Sequence, residues 1–302
     1  MTIPRHSIAL LLALAACAPA GPAPAAAPRL EAEVRSIIRR AAGDTAEVSV
    51  AFRDLETGDS LLIDARKPMH AASTMKVPVM LELFRRADAG ELRMDEAVPV
   101  RNEFRSIADG SSYALSRGDD SDTTLYGRVG QSVPLRELLE RMITRSSNLA
   151  TNLLIARADP ARIATTLGGL GAGEIRVLRG VEDGPAYAAG MNNSATAYGL
   201  MRLMEAIAAG RAASPASTRE MLAVLGRQEF REMIPAGLPA GVRSANKTGN
   251  ITRIAHDAAV VFPEGRRPYV LVVLTRGFVD ADVAAATGRD ISRAVYQAAT
   301  RR

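Results

Sequence analysis

Hydrophobic residues recur every three or four positions along several stretches of this chain, a spacing that predicts amphipathic helices. The first predicted helix covers 29–42, and its apolar face consists of Leu30, Val34, Ile37 and Ile38. The middle of the chain is predicted to be largely helical, and one more helix is predicted near the end. These helices cover residues 73–87, 135–145, 148–156, 195–208 and 282–298.

Strands are predicted near both ends of the chain. Residues 48–52 alternate loosely between apolar and polar side chains, 56–59 form a turn and 60–63 return, which together predict a hairpin. Three more strands are predicted at 243–252, 258–262 and 269–275. Strands from both ends, with helices between them, predict an α+β fold in which an antiparallel sheet lies beside an all-helical lobe. Clefts for small ligands commonly lie between two such lobes.

One long stretch, 102–131, fits no regular element. It contains Gly110-Ser-Ser and the polar run 117–122, both typical of loops. A solvated loop is the simpler interpretation. The alternative is a flap that covers the cleft and carries Tyr113, because long irregular inserts in compact domains are often functional.

The first 28 residues are typical of an export signal and a tether. Residues 1–16 are predicted to be a signal peptide, because a positively charged start precedes an apolar run too short to span a bilayer. Leu14–Cys17 resembles the bacterial lipobox, in which the cysteine becomes the lipidated first residue; an ordinary secretory signal is the alternative. Residues 17–28, nearly all Ala, Pro and Gly, predict a tether. The folded domain, 29–302, would then lie in the periplasm or another extracytoplasmic space as a membrane-anchored lipoprotein.

Composition narrows the possible functions. The 38 Lys+Arg and 33 Asp+Glu give a net charge of +5, but the arginines are scattered among acids and tryptophan is absent, so nucleic-acid binding is not predicted. Three histidines and one cysteine cannot form a histidine-rich metal site or a zinc ribbon, and no metal or cofactor is expected. Lysine occurs only at Lys67, Lys76 and Lys247, so each lysine raises the question of what arginine could not do there.

Ser73 and Lys76 form the first candidate catalytic pair. Pro78 is tolerated only in the first turn of a helix, so the helix is predicted to begin at or just after Ser73. Serine and lysine three positions apart share one face of that helix. The helix dipole favours negative charge on the serine oxygen, and a buried lysine can act as a base. A capping serine beside a solvated lysine is the alternative.

Two further motifs follow along the chain. Lys247–Asn250 lies on a predicted strand, where the glycine allows close approach of a ligand or of another backbone. The lysine and threonine before the glycine would form an edge that binds anions. A strand end that runs into a turn is the alternative. Thr144–Asn148 joins two predicted helices, and taken alone its short polar residues indicate a helix stop and a new N-cap.

The three motifs together resemble a known signature, S-x-x-K, then S-D-N, then K-T-G. Ser146 follows Ser73 by 73 positions, and Lys247 follows Ser146 by 101. From about residue 30 to the end, the chain resembles the class A β-lactamase-like serine hydrolases of the β-lactamase and penicillin-binding-protein superfamily. The resemblance implies a β-lactamase/transpeptidase-like fold, with a five-stranded antiparallel sheet flanked by helices, and a site between this sheet and the helical lobe.

The resemblance also implies a role for each matched residue. Ser73 would be the acylated nucleophile and Lys76 its base or proton relay. Ser146 would pass a proton to the leaving nitrogen, and Asn148 would hold the substrate's amide side chain. The backbone N–H groups of Ser73 and Asn250 would form the oxyanion hole. The edge that attracts the substrate carboxylate would consist of Lys247, Thr248 and Gly249.

Two positions depart from the family pattern. Ser147 stands where the family usually has aspartate, although the wider superfamily tolerates S-x-N. The glutamate that activates water for deacylation would be Glu182, but the usual E-x-x-L-N pattern is absent. Glu182 is therefore weighed against an ordinary surface carboxylate, with Asp183 as the second candidate.

Other polar residues near the motifs have simpler interpretations. His256 could face the cleft, but it and His70 are predicted to be structural. Arg253 and Arg276 are both possible partners for the substrate carboxylate. The glycine-rich stretch at 169–173 predicts a helix end or turn, not a dinucleotide-binding loop.

These observations leave three functions to weigh. The leading hypothesis is an exported, monomeric serine hydrolase that hydrolyses the β-lactam amide through an acyl-enzyme on Ser73. The missing E-x-x-L-N pattern supports an alternative, a D-Ala-D-Ala peptidase or esterase that acts on a cell-wall peptide or ester. The third hypothesis is a non-catalytic module that binds the cell wall or a partner.

Overall fold

A computed structural model of the chain describes residues 26–43 and 45–301. The predicted signal peptide, Cys17 and most of the predicted tether lie outside the described residues. The first helix begins at Ala26, three residues before the predicted domain start. Pro28 permits this because it lies in the first turn of the helix, where its fixed φ and missing N–H are tolerated. In the part of the chain that is described, no helix is long and apolar enough to cross a membrane.

The predicted antiparallel sheet, completed by both ends of the chain, is confirmed. Its strands are β1 (Glu47–Asp54), β2 (Ser60–Ile63), β3 (Arg243–Ile251), β4 (Ile254–Phe262) and β5 (Tyr269–Arg276). They lie in the order β2-β1-β5-β4-β3, so β3 forms one edge of the sheet. β4 begins four residues earlier than predicted, because its polar residues His256 and Asp257 are fully buried and hydrogen-bonded to other segments of the chain.

Helices cover both faces of this sheet. They are α1 (Ala26–Ala42), α2 (Lys76–Asp88), α3 (Leu135–Thr144), α4 (Asn148–Ala158), α5 (Pro160–Gly169), α6 (Gly184–Ala188), α7 (Ala197–Ala208), α8 (Pro215–Gly226) and α9 (Ala281–Thr300). α1 and α9 pack together on one face, where the predicted apolar residues Leu30, Val34 and Ile37 are buried. α7 and α8 contact the other face. α2 lies in the centre of the helical lobe, and its first nine residues are all buried.

Two of these helices, α6 and α8, were not predicted, and for α5 only the glycine-rich end was. Asp159, Asp183 and Ser214 precede them, and the side chain of each accepts a hydrogen bond from a backbone N–H two or three residues later. Each helix also carries a proline in its first turn. An Asp or Ser cap followed by proline is a helix-start signal, so α5 and α8 could have been found from the sequence.

Residues 102–131, the insert, pack against the helical lobe. A short ladder pairs Phe104–Arg105 with Ser112–Tyr113, and 3-10 turns cover Arg117–Asp119 and Leu125–Arg128. Most residues of the insert are exposed, as a solvated loop predicts, but five are buried and anchor it to the lobe, namely Ser106, Leu115, Asp120, Asp122 and Leu125. Two other ladders pair Met69–His70 with Ser194–Ala195 and Ala97–Pro99 with Ser132–Pro134.

Candidate active site

The three motifs meet where the helical lobe faces β3. The Lys76 ammonium donates to the Ser146 carbonyl at 2.6 Å, the Ser146 Oγ at 3.2 Å and the Asn148 Oδ1 at 3.0 Å. Lys247 Nζ lies 3.1 Å from the same Ser146 Oγ. One serine hydroxyl therefore lies between two lysine amines from different motifs.

Ser73 lies in a 3-10 turn, Ala72–Met75, that leads directly into α2. The residue before it, Ala72, has a φ of +44°, a left-handed conformation that is strained for any residue except glycine. β3 packs closely against this turn, because a Cβ on Gly249 would lie 3.0 Å from the Ser73 nitrogen. Glycine at this position thus allows the close backbone approach predicted from the K-T-G motif.

Lys76 is fully buried at the first position of α2. Burial lowers its pKa from 10.5 to about 7, and the charges of Asp120 and Glu182 oppose part of that shift. A neutral amine is therefore accessible near pH 7, which an arginine at this position could not provide.

Ser146 occupies the strained junction between α3 and α4. Its φ is +56°, again left-handed for a non-glycine residue. This conformation brings both its carbonyl and its hydroxyl to Lys76. The next residue, Ser147, caps α4 by accepting a hydrogen bond from the Ala150 N–H at 3.2 Å. The junction is therefore both the helix stop with a new N-cap and a contact point for both lysines.

The K-T-G motif lies on the edge strand β3. Lys247 is fully buried, and besides Ser146 its amine donates to the Thr248 carbonyl at 2.9 Å. Burial lowers the pKa of Lys247 well below its usual range, the charge of Lys76 lowers it further, and Asp257 opposes the shift. Thr248 and Gly249 are also buried, whereas Asn250 is exposed. The motif thus runs from the interior of the site to the solvent.

Glu182 and Asp183 have different surroundings. Glu182 is exposed; its Oε1 accepts from the Asn148 Nδ2 at 3.3 Å and its Oε2 from the Ser116 N–H at 3.0 Å. Asp183 is buried and caps α6. It also accepts from the Ser106 hydroxyl at 2.6 Å and the Ile107 N–H at 3.0 Å, so it ties α6 to the insert. Of the two carboxylates, only Glu182 is linked through Asn148 to Lys76.

Asn152 was missed by the sequence analysis. It is buried one helical turn after Asn148, and its Oδ1 accepts from the Val181 N–H at 2.7 Å. Its Nδ2 donates to the Val181 carbonyl at 3.0 Å and to the Tyr113 hydroxyl at 3.3 Å. It therefore fixes the residue before Glu182. The sequence signal for Asn152 is its i, i+4 spacing from Asn148 on one predicted helix.

Asp120 was also missed. It lies in the insert and is buried, and its carboxylate accepts from the backbone N–H groups of Asn148 at 3.0 Å and Leu149 at 2.8 Å. The sequence offers no signal for this contact, because it joins an irregular segment to a helix 28 residues further on.

The two histidines are structural, as predicted. His256 is fully buried, its Nδ1 accepts from the Thr275 N–H at 3.1 Å, and its Nε2 lies 2.9 Å from the His70 carbonyl. An accepting Nδ1 assigns the proton to Nε2, which donates to that carbonyl. Burial lowers the pKa of His256 to about 4, so the ring is neutral. The His70 Nδ1 accepts from the Ala72 N–H at 3.1 Å and thereby supports the turn that carries Ser73.

The two arginines considered for substrate binding have partners within the protein. Arg253 donates from Nη2 to the Gly277 carbonyl at 2.9 Å. Arg276 pairs with Glu47, a carboxylate that also binds Lys67. The glycine-rich stretch at 169–173 lies at the end of α5, as predicted, and Gly171 has a φ of +70°. Among the described residues, no group of three or more His, Cys, Asp or Glu is placed to hold a metal ion.

Comparison with known proteins agrees with this fold. The model of the beta-lactamase enzyme family matches residues 29–299, and the chain belongs to that family. The chain is 27% identical to a beta-lactamase of Streptomyces fradiae over 304 residues, which cover 97% of this chain and 93% of that protein.

Solved structures similar to this chain include further beta-lactamases and PBP-A. A beta-lactamase from Sphaerobacter thermophilus is 25% identical and superposes with a TM-score of 0.77, covering 89% of this chain and 96% of that one. The structure of PBP-A is 26% identical, with a TM-score of 0.75, and covers 89% of this chain and 95% of its own. A mutant of PBP-A, solved as an acyl-enzyme complex with penicillin G, has the same TM-score and identity.

Proposed function

We propose that the protein is a class A-like serine β-lactamase that hydrolyses the β-lactam amide through an acyl-enzyme on Ser73. The observation that carries this proposal is the buried Lys76, whose pKa of about 7 and contacts with Ser146 and Asn148 suit a proton acceptor beside the nucleophile. The family and its beta-lactamase relatives support the choice of substrate.

Acylation would begin with attack of the Ser73 Oγ on the lactam carbonyl carbon, while the hydroxyl proton passes to the neutral Lys76 amine. The backbone N–H groups of Ser73 and Asn250 would stabilise the tetrahedral oxyanion. When the C–N bond breaks, Ser146 would donate its proton to the leaving nitrogen and recover one from Lys76. This sequence leaves a Ser73 ester and a lysine restored to its neutral form.

Substrate binding would use the K-T-G edge and Asn148. Lys247 and Thr248 would attract the substrate carboxylate, with Gly249 allowing it close to the backbone. Asn148 would hold the substrate's amide side chain, which would compete with its present contacts to Lys76 and Glu182.

Deacylation would use Glu182 as the general base for water. Its exposure gives water access, and its hydrogen bond to Asn148 holds the carboxylate next to the lysine network. The proton taken from water would return to the Ser73 oxygen when the ester bond breaks, which completes hydrolysis.

A D-Ala-D-Ala peptidase or esterase is the second candidate. The observation that favours it is the short segment after Glu182, which replaces the E-x-x-L-N pattern with the cap and first turn of α6. The chain is also similar to PBP-A, a mutant of which was solved as an acyl-enzyme complex with penicillin G. A cell-wall peptide would then be the acyl donor. The third hypothesis, a non-catalytic module that binds the cell wall, gives no reason for two buried lysines.

We also infer that the chain is exported and anchored by a lipid on Cys17, after removal of residues 1–16, and that it acts as a periplasmic or otherwise extracytoplasmic monomer. The lipobox-like sequence before the only cysteine supports this proposal. Processing that globomycin blocks, and that Cys17→Ser abolishes, is the expected result. Unaltered processing in both cases would indicate an ordinary secretory signal.

Intact-protein mass spectrometry tests the proposed reaction. The domain from residue 26 onward is mixed with benzylpenicillin and sampled over time. A β-lactamase gives an adduct that appears and then disappears as penicilloate accumulates, and Ser73→Ala gives no adduct. A persistent adduct selects the peptidase-like alternative, and a wild-type protein that is unlabelled and also forms no penicilloate contradicts acylation. Ser112→Ala, in the exposed part of the insert, is the matched control and should be labelled like the wild type.

A further inference from the structure

The S-x-N motif of this chain has no acidic residue of its own, yet a carboxylate lies at the start of α4. The first N–H groups of a helix lack partners within it and carry the positive end of its dipole. Here the Ser147 hydroxyl accepts from the Ala150 N–H. The carboxylate of Asp120, in the insert, accepts from the backbone N–H groups of Asn148 at 3.0 Å and Leu149 at 2.8 Å.

Asp120 is itself firmly held. Its Oδ1 accepts from the Asp122 N–H at 3.0 Å and its Oδ2 from the Tyr126 hydroxyl at 3.2 Å. Only 4% of its surface is exposed. With four donors to two oxygens, the buried carboxylate is well compensated as an anion. Asp120 therefore has the hydrogen bonds of a buried anion, and not those of a surface carboxylate beside the helix.

This carboxylate is coupled to the lysine network through the first residue of α4. Asn148 takes its backbone position from Asp120, and its side-chain Oδ1 accepts from Lys76. Ser146, two residues earlier, contacts both lysines. The charged and titratable groups around Lys76 are Asp120, Glu182 and Lys247, with Tyr126 bound to Asp120.

We propose that Asp120 is a positioning residue of the active site, whose carboxylate replaces the acid missing at Ser147 and holds Ser146 and Asn148 against Lys76. Its expected effect on turnover rests on the proposed function. Its effect on the ionisation of Lys76 does not. A negative charge near an amine favours the protonated form, so removal of the Asp120 charge should lower the pKa of Lys76 further.

The chain allows a direct measurement of that ionisation, because it contains only three lysines. With 13C at the lysine Cε, an NMR titration follows Lys67, Lys76 and Lys247 separately, and Lys67→Arg identifies the surface signal. In Asp120→Asn the Lys76 titration should move to lower pH while Lys67 is unchanged. Asp119→Asn, which removes a charge from the exposed neighbouring residue, is the matched control and should leave Lys76 as in the wild type.

Turnover provides the second readout. Asp120→Asn should lower kcat/KM by about 10- to 100-fold, the usual value of a hydrogen bond to a charged group, mainly through kcat. The acid limb of the pH profile should shift in the same direction as the Lys76 titration. Adding Ser147→Asp to this variant returns a carboxylate to the motif and should restore much of both quantities. This double variant also serves where Asp120→Asn alone does not fold.

A Lys76 titration and kcat/KM in Asp120→Asn that match those of Asp119→Asn would overturn the proposal. So would a loss of turnover with an unchanged Lys76 titration that Ser147→Asp does not repair, because any loop contact could produce it. If the wild type does not react with penicillins, the proposed function fails instead, and the NMR titration still decides the role of Asp120.

Discussion

The Ser146 hydroxyl lies between two buried amines, and their protonation states determine the direction of its hydrogen bonds. As an ammonium, Lys76 donates all three protons, to the Ser146 carbonyl, the Ser146 Oγ and Asn148. Loss of one proton leaves a lone pair that can accept from the Ser146 O–H. Because burial lowers the pKa of Lys76 to about 7, both arrangements are accessible at neutral pH. Ser146 can therefore pass a proton in either direction between lysine and substrate.

The role of Glu182 is tested by Glu182→Gln. The glutamine keeps an acceptor for Asn148 but cannot take a proton from water, so deacylation should slow by about 10²- to 10⁴-fold. Acylation should change much less, because Lys76 provides its base. In rapid-mixing experiments with benzylpenicillin, the acyl-enzyme should therefore accumulate to nearly one equivalent.

Glu264→Gln is the control for this experiment. Glu264 is exposed in the turn between β4 and β5, away from the motifs, and its loss should leave both steps unchanged. Turnover by Glu182→Gln at the wild-type rate, with no accumulation of acyl-enzyme, would mean that another group is the base for deacylation. Asp183 is a poor substitute because it is buried as the cap of α6.

The site residues that could be predicted from the sequence are those that belong to short motifs. Ser73 and Lys76 are one turn apart, and a local pattern is enough to place them together. The spacing of Asn148 and Asn152 places Asn152 on the same helix face, but the roles of Asn152 and Asp120 could not be assigned because each acts on backbone groups 28 or 29 residues away. For these residues only the fold shows which segment each one holds.

The contact between β3 and the Ser73 turn predicts the effect of a single added methyl. In Gly249→Ala the new Cβ would lie 3.0 Å from the Ser73 nitrogen and 3.1 Å from the Thr74 nitrogen, both backbone atoms. The strand or the turn must therefore shift, which should destabilise the fold by about 1–3 kcal/mol. Displacement of the Ser73 N–H from the proposed oxyanion hole should lower kcat by about 100-fold.

Urea unfolding and steady-state kinetics measure the two effects. Gly118→Ala is a suitable comparison, because its nearest neighbour would be a side-chain oxygen 3.7 Å from the new Cβ and its φ is not positive. It should leave stability and kcat unchanged. If Gly249→Ala behaved in the same way, β3 would not be in close contact with the nucleophile turn in solution.

Elements with a periodic pattern were predicted well, and those with mixed patterns were not. The apolar stripe of α1 and the strands β3 and β5 follow from local sequence. The first half of β4 was missed because His256 and Asp257 are polar, and their burial depends on donors from Ile234 and Thr275 on other elements. The buried contacts of the insert were not predicted for the same reason, since Asp120 and Asp122 bury their charge against a helix start and an arginine.

Lys76 and Lys247 are both buried, and their burial makes the stability of the whole fold depend on pH. A lysine whose pKa is lowered on folding binds fewer protons in the folded state than in the unfolded state. For Lys76 the window lies between about 7 and the unfolded value of 10.5, and Lys247 is shifted in the same direction. Within this window the free energy of unfolding should rise with pH. The arrangement proposed for catalysis therefore destabilises the protein at neutral pH.

Between pH 7 and 9 the shift of Lys76 alone should add about 2 kcal/mol to the free energy of unfolding, measured by urea denaturation at each pH. Lys76→Met removes the buried amine, so it should raise stability at pH 7 and reduce this rise, leaving the part that Lys247 contributes. Lys67→Met is the matched control, because Lys67 is on the surface with 44% of its side chain exposed, and it should leave the slope unchanged. A wild-type stability that stays flat or falls from pH 7 to 9 would mean that the lysines of the site retain ordinary pKa values. Lys76 would then be an ammonium at neutral pH and could not accept the Ser73 proton.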